Sequence, residues 1–294
     1  MAQVTTPAGV TLEYETVGDP DAVPLLMVCG YNTQLISWDP ELLAMLADGG
    51  RYVITYDNRD CGLSQKWEGV PARELEVPLA TNAGDFALAR ALAAYTLDDL
   101  AGDAAGLLTA LGIDRAHVLG TSMGGMIAQQ LAILSPARVL SLTSIMSRSG
   151  EPGYGDSSPE SLQALIEPTP ADREGNIAAA ECALLWRSKR YPNVEALRAD
   201  AAASFDRSYY PAGALRHLIA MVASGSRADG LRALHVPTLV IHGRDDTLIE
   251  PSGGIRTAEL VPDAELMLVD DMGHDLPPQL WPQIVEAILR HTAR

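Results

Sequence analysis

Residues 116–128 read Ala-His-Val-Leu-Gly-Thr-Ser-Met-Gly-Gly-Met-Ile-Ala, an apolar strand that runs through Gly120-Thr121-Ser122-Met123-Gly124 into a helix. A serine at a sharp strand-to-helix turn sits in a strained backbone conformation with its hydroxyl exposed above a sheet. Gly120 and Gly124 are small because strand and helix must nearly touch there, and a Cβ at either would pry the turn open. Alone, the G-x-S-x-G pattern is weak. With Gly and Ser each near ~7% of residues, a chain this long contains it by chance roughly one time in ten.

Outward from this turn, the chain alternates short apolar runs with helix-like stretches. The runs are Leu25–Cys29, Tyr52–Tyr56, His117–Leu119, Val139–Ile145, Thr238–Ile241 and Leu266–Val269. Continuous apolar runs of this length, alternating with helices, are what a parallel sheet covered on both faces requires. Before them, Val10, Leu12 and Tyr14 alternate after Pro7-Ala8-Gly9, which reads as an antiparallel hairpin at a sheet edge. Residues 148–232 break the rhythm: they open on Arg148-Ser149-Gly150-Glu151-Pro152-Gly153 and continue as Ala-rich amphipathic sequence such as Asn176–Arg187. The reading is a core of residues 1–147 and 233–294 with a helical cap inserted at 148–232. Trp281 to His291 reads as a closing helix.

The 294 residues suffice for one large domain with a sizeable core. With 38 Asp and Glu against 21 Lys and Arg, the net charge of −17 repels a phosphate backbone, so nucleic acid is not an expected partner. No segment approaches the ~18 consecutive apolar residues of a membrane span. Met1 to Val10 has neither a basic run nor an apolar core, so a cytoplasmic location is expected. Cys29, Cys61 and Cys182 form no CxxC pair, which speaks against a disulfide framework or a zinc site. Cys29 reads as a small core residue. Oligomeric state is not legible.

A serine hydroxyl needs a base within hydrogen-bond reach, itself oriented by an acid. In a doubly wound sheet all three sit in loops at the carboxyl ends of strands. After Thr238–Ile241 comes His242-Gly243-Arg244-Asp245-Asp246, and after Leu266–Val269 comes Asp270-Asp271-Met272-Gly273-His274. Of six histidines, His274 follows a strand and a glycine in a loop, and is the expected base. His117 reads as a buried strand residue, His217, His235 and His291 as surface residues, and His242 as a packing or capping residue. Only one of Asp245 and Asp246 can face the imidazole. Two backbone N–H groups are needed for a developing oxyanion. Met123 follows the nucleophile, and Tyr31 follows the Leu25–Cys29 strand. Asp57 to Ser64 reads as a structural loop braced by Asp57 and Arg59, with Ser64 no nucleophile. Trp186, Tyr209 and Tyr210 either line a substrate pocket or join cap to core.

The chain resembles the α/β-hydrolase superfamily over nearly its full length, and within it the aclacinomycin methylesterase group of bacterial serine esterases. The likeness rests on Gly30-Tyr31-Asn32, Leu46-Ala47-Asp48-Gly49-Gly50, Tyr56-Asp57-Asn58-Arg59-Asp60, Gly120-Thr121-Ser122-Met123-Gly124 and Met272-Gly273-His274. The order Ser122, Asp, His274 is the order of this superfamily. Asp246, three residues past Gly243, holds the offset seen in related hydrolases. The superfamily often has glycine where this chain has Asp60, and the subgroup has aspartate. Residue 29 is Cys where many relatives carry His. The resemblance implies a mostly parallel eight-stranded sheet flanked by helices, with a helical cap over the site. It implies a serine carboxylic-ester hydrolase that needs no metal or organic cofactor and acts on a small or medium apolar ester, including a polyketide-like methyl ester. A ligand-binding member, or a lyase or cyclase with a repurposed triad, is the alternative.

Overall fold

The apolar runs all fall in one sheet. The computed structural model describes residues 1–70 and 86–293. Among them are β1 (Ala2–Thr5), β2 (Thr11–Val17), β3 (Val23–Val28), β4 (Arg51–Tyr56), β5 (Ala116–Thr121), β6 (Val139–Ile145), β7 (Thr238–Gly243) and β8 (Glu265–Val269). They lie in the order β1-β2-β4-β3-β5-β6-β7-β8. Only the pairings of β2 with β1 and with β4 are antiparallel, and the rest are parallel. The Pro7-Ala8-Gly9 hairpin makes one edge, as its alternation implies, with Gly9 at φ 84° in the turn.

Side chains alternate across the sheet. Leu26, Val28, Ile54 and Val118 pack on one face, whereas Leu25, Met27, Val53 and Leu119 pack on the other. Period-2 geometry with both faces covered is why these strands read as unbroken apolar runs. The helices among the described residues are α1 (Pro40–Asp48), α2 (Phe86–Leu92), α3 (Leu97–Ala110), α4 (Met123–Leu134), α5 (Pro159–Ile166), α6 (Arg173–Ala179), α7 (Val194–Arg207), α8 (Pro211–Ser224), α9 (Ala228–Arg232), α10 (Ser252–Leu260) and α11 (Trp281–Thr292). Helices α3 and α4 cover the first face, and α1 and α11 the second. None of these helices is long and apolar enough to cross a membrane.

Between β6 and β7 the described chain is helical, from α5 to α9, with no strand. Asn176–Arg187 is not a single helix: α6 stops at Ala179 and Ala180–Leu185 tightens to a 3-10 turn. The carbonyls at the end of this turn are taken up from outside it. Lys189 Nζ donates to Leu184 O (2.6 Å) and Leu185 O (2.7 Å), and the His274 N–H donates to Trp186 O (2.6 Å).

Two histidines expected at the surface are buried. His217 lies in α8, where its Nε2 donates to Arg59 O at 2.8 Å, and His291 in α11 donates to Leu142 O at 3.2 Å. Each helix presents that position to the core, which amphipathic spacing alone does not show when the residue is polar. His235 is exposed, and His117 is buried against Ser141 Oγ at 2.8 Å.

Candidate active site

Strand β5 ends at Thr121 and α4 starts at Met123, so Ser122 takes the whole change of direction at φ 55°, ψ −122°. A non-glycine residue in this region costs about 1–3 kcal/mol and persists because its surroundings fix it. Ser122 N–H donates to Ile145 O (3.0 Å), and Ser122 O accepts from Met126 N–H (3.2 Å) and Ser147 Oγ (2.8 Å). A serine opening a helix ordinarily caps it. Ser122 does not, and its side chain makes no capping bond.

The glycines show how tightly the turn is gripped. A Cβ on Gly120 would lie 2.1 Å from Gly124 O, and one on Gly124 would lie 2.1 Å from Val28 O. The end of β3 therefore presses against the start of α4. A Cβ on Gly30 would lie 3.3 Å from the Ser122 Cβ, which brings the Gly30-Tyr31 segment beside the serine. Asn58, for which the sequence gives no functional signal, is buried and donates from Nδ2 to Cys29 O at 3.0 Å. That bond pins the peptide leading into Gly30. Met123 N–H belongs to the first turn of α4, where backbone donors lack intrahelical acceptors. The Tyr31 ring joins an apolar cluster with Leu88 and Leu92 beside Leu218 and Ile219, and burial pushes its phenol well up.

Two further strand ends carry Asp246 and His274, the expected acid and base. Asp246, after β7, is buried, and its Oδ2 lies 2.7 Å from His274 Nδ1. Its Oδ1 accepts from Leu248 N–H and Ile249 N–H, both at 2.9 Å. Burial raises the Asp246 carboxyl. The charge of His274 and the hydrogen-bonding contacts of His242 and His274 outweigh it and hold the group at about 2. An ionised carboxylate only accepts, so His274 Nδ1 carries a hydrogen and Nε2 is the nitrogen left to take a proton. Asp245 is half-exposed and sends its N–H to Met272 O at 3.0 Å. The acid and base loops abut, since a Cβ on Gly243 would lie 2.2 Å from Met272 O. His242 is buried behind the acid, its Nε2 2.8 Å from Ile249 O.

The residues between β6 and β7 reach this edge at several points. Trp186 is buried, and its carbonyl takes the His274 N–H. Thr247 Oγ1 donates to Leu185 O at 3.0 Å, and Ser188 Oγ to Asp271 O at 2.6 Å. The loop after β4 is gripped from the same side. Asp57 accepts from Leu35 N–H (2.7 Å) and Leu63 N–H (2.8 Å), and Arg207 of α7 lies 2.7 Å from its Oδ2. Asp60, at φ 65°, meets Arg216 of α8 through two contacts of 2.7 and 3.1 Å and accepts from Tyr95 Oη and Trp67 N–H, both at 2.7 Å. Burial raises the Asp60 carboxyl, but Arg216, Trp67 N–H and Tyr95 together bring it below its ordinary value. Arg59 does not brace its own turn with Asp57. It spans to Asp103 of α3 at 2.5 and 2.7 Å. Ser64 Oγ donates to Asp57 O at 2.6 Å, in keeping with a structural loop.

Tyr210 Oη accepts from Arg216 at 2.9 Å, and Tyr209 leans on Phe205 with centroids 4.7 Å apart. Trp186 thus joins the helical segment to the base loop, and Tyr210 supports Arg216 while Lys66, from outside the segment, lies 5.5 Å from its ring centroid. Arg207 and Arg216 carry no mark of this role in the sequence. The aspartate at 60 signals that a cation must face it, but nothing local says which one.

A family model described as alpha/beta hydrolase fold matches residues 23–278. The chain is 30% identical over 313 residues to rhodomycin D methylesterase DauP of Streptomyces sp. (strain C5), covering 96% of this chain and 95% of that one. It is 29% identical over 310 residues to rhodomycin D methylesterase DnrP of Streptomyces peucetius, with the same coverage, 96% and 95%. In fold it is similar to the crystal structure of the enol-lactonase from Burkholderia xenovorans LB400, with a TM-score of 0.76, 22% identity and all of both chains covered.

Proposed function

This chain belongs to the alpha/beta hydrolase family and is a hydrolase of carboxylic ester bonds, and on that premise we propose that Ser122, His274 and Asp246 are its catalytic triad. The observation that carries the reading is the 2.7 Å contact between buried Asp246 and His274 Nδ1, on the same sheet edge as a strained serine that caps nothing. His274 Nε2 takes the Ser122 proton as Oγ attacks the ester carbonyl, and then gives that proton to the leaving alcohol. Asp246 stays ionised throughout and stabilises the imidazolium. The N–H groups of Tyr31 and Met123 receive the oxyanion, each donor worth about 3–4 kcal/mol in comparable sites. Water then releases the acyl group by the same route in reverse.

Residues 148–232 act as the cap, with Trp186, Tyr209 and Tyr210 on its side of the substrate pocket. The likeness to the two methylesterases supports a methyl ester of a bulky polyketide-like compound. The apolar cluster that joins Tyr31 to α2 and α8 supports an apolar substrate body beside the oxyanion donors.

A panel of p-nitrophenyl esters and aromatic polyketide methyl esters, run with wild type and Ser122→Ala, tests this. Wild type is expected to exceed the alanine variant by about 10³-fold or more in kcat. A fluorophosphonate probe is expected to label Ser122. Equal rates on every ester with Ser122 unlabelled would overturn the triad, and turnover of p-nitrophenyl esters alone would overturn the polyketide substrate.

A further inference from the structure

His242 is the penultimate residue of β7, three residues before Asp245, and it is fully buried. Its Nε2 lies 2.8 Å from Ile249 O. A carbonyl oxygen only accepts, so Nε2 carries the hydrogen. The same nitrogen lies 3.4 Å from Asp246 Oδ2, the oxygen that meets His274. Ile249 ties the two together: its N–H goes to Asp246 Oδ1 and its C=O to His242. Asp246 thus faces one imidazole on each side, His274 toward the open edge and His242 toward the interior.

The ring has no freedom. A Cβ on Gly254 of α10 would lie 2.4 Å from His242 Nδ1, so only glycine fits against it. That Nδ1 is buried with no hydrogen-bond partner among the described residues. Leaving a buried nitrogen unpaired carries a desolvation cost that an apolar side chain of similar size would not incur. Packing alone does not account for an imidazole here.

We propose that His242 is a positioning residue for the reaction: through Ile249 it fixes the Asp246 turn, and its N–H dipole draws on the carboxylate oxygen that Asp246 shares with His274. The inference rests on the triad reading above. Asp246 then holds the imidazolium firmly enough to form it, but not so firmly that the proton fails to pass to the leaving alcohol. The other charged groups near this unit lie on its flanks. From the base loop come Asp275, whose acid is raised by burial, and Asp271, paired with Arg190. Arg187 faces Asp275 from the cap segment. Arg148, three residues past the end of β6, packs its Cβ toward Gly253, and α10 presents glycine to the ring.

Removing the N–H makes Asp246 more basic and deepens its hold on the proton of His274. His242→Leu is therefore expected to move the acid limb of the kcat/KM profile up by about half a pH unit and to lower kcat about tenfold with KM little changed. His242→Gln, whose amide N–H reaches the same two oxygens, is expected to return the limb to its wild-type place. An acid limb that stays put or moves down in His242→Leu overturns the proposal, because a role in packing alone would lower stability without raising it. Two readouts need no turnover. In wild type, imidazole ¹⁵N shifts are expected to show His242 as the Nε2–H tautomer, and an Nδ1–H tautomer overturns the inference even where the leucine variant does not fold. In a Ser122→Ala background, the His274 ring titration is expected to move up when His242→Leu is added, and an unmoved midpoint counts against His242 alone. Failure of ester hydrolysis in the wild type counts against the triad reading instead.

Discussion

Two loops at the carboxyl edge of the sheet bury aspartates almost equally well. After β4 lie Asp57 and Asp60, 0% and 1% exposed, and after β7 lies Asp246, 2% exposed. They differ in the counter-ion. Asp57 and Asp60 face Arg207 and Arg216, whose charge is permanent across the working pH range. Asp246 faces His274, which can lose and regain a proton. The arginine pairs hold α7 and α8 against the loop after β4. The histidine pair can enter a proton cycle. Burial of a carboxylate therefore marks neither chemistry nor structure by itself, and its partner decides which.

The contrast breaks first on Asp246→Asn. Losing the charge behind His274 is expected to lower kcat on a p-nitrophenyl ester by about 10⁴-fold, with thermal unfolding close to wild type. A loss below about tenfold would put Asp246 in the same class as Asp60. Asp60→Ala is expected to do the reverse and destabilise by about 3–5 kcal/mol in urea unfolding, because Arg216 is left buried and unpaired. Adding Arg216→Met to Asp60→Leu is expected to recover most of that loss. A single Asp60 variant with an unchanged urea midpoint would show that the pair holds nothing.

The smallest effect concerns pH. Asp60 and Asp246 both ionise below their ordinary range, so their stabilisation is full above an unfolded carboxylate value of about 3.9 and is lost only as pH falls further, toward about 2 for Asp246. His217 works in a higher window. Burial lowers it to about 4, so between an unfolded value of about 6.5 and 4 the unfolded chain binds more protons and stability falls with acid. For His217 that fall is about 3 kcal/mol at its full extent. Urea midpoints at pH 7 and pH 4.5 measure it, and His217→Gln, which keeps a donor for Arg59 O, is expected to shrink the drop.

The inner strands are legible because they are covered on both faces and so run largely apolar, and the edge hairpin because it alternates. The few residues just past each strand are enough to place Ser122, an aspartate at 245 or 246 and His274 on one edge, and the resemblance prefers Asp246. The segment between β6 and β7 is not legible in the same way. Arg207 and Arg216 look like ordinary helix-surface arginines, and their partners lie about 150 residues earlier, with no periodic trace of the pairing. His217 reads as a surface residue for the same reason. The 3-10 turn at Ala180–Leu185 hands its last carbonyls to Lys189, and Trp186 O goes to the base loop, a long-range contact that no window of sequence around residue 180 contains.

Position 60 carries a consequence for how such a chain can change over time. At φ 65° its backbone suits glycine best, and aspartate tolerates it at a modest cost. Replacing Asp60 by glycine would ease the turn and at the same stroke strand Arg216 in the interior. Replacing Arg216 first would strand the aspartate. Neither step is neutral alone, so residues 60 and 216 form one heritable unit. In an alignment of relatives, glycine at the first position is expected to travel with an uncharged side chain at the second.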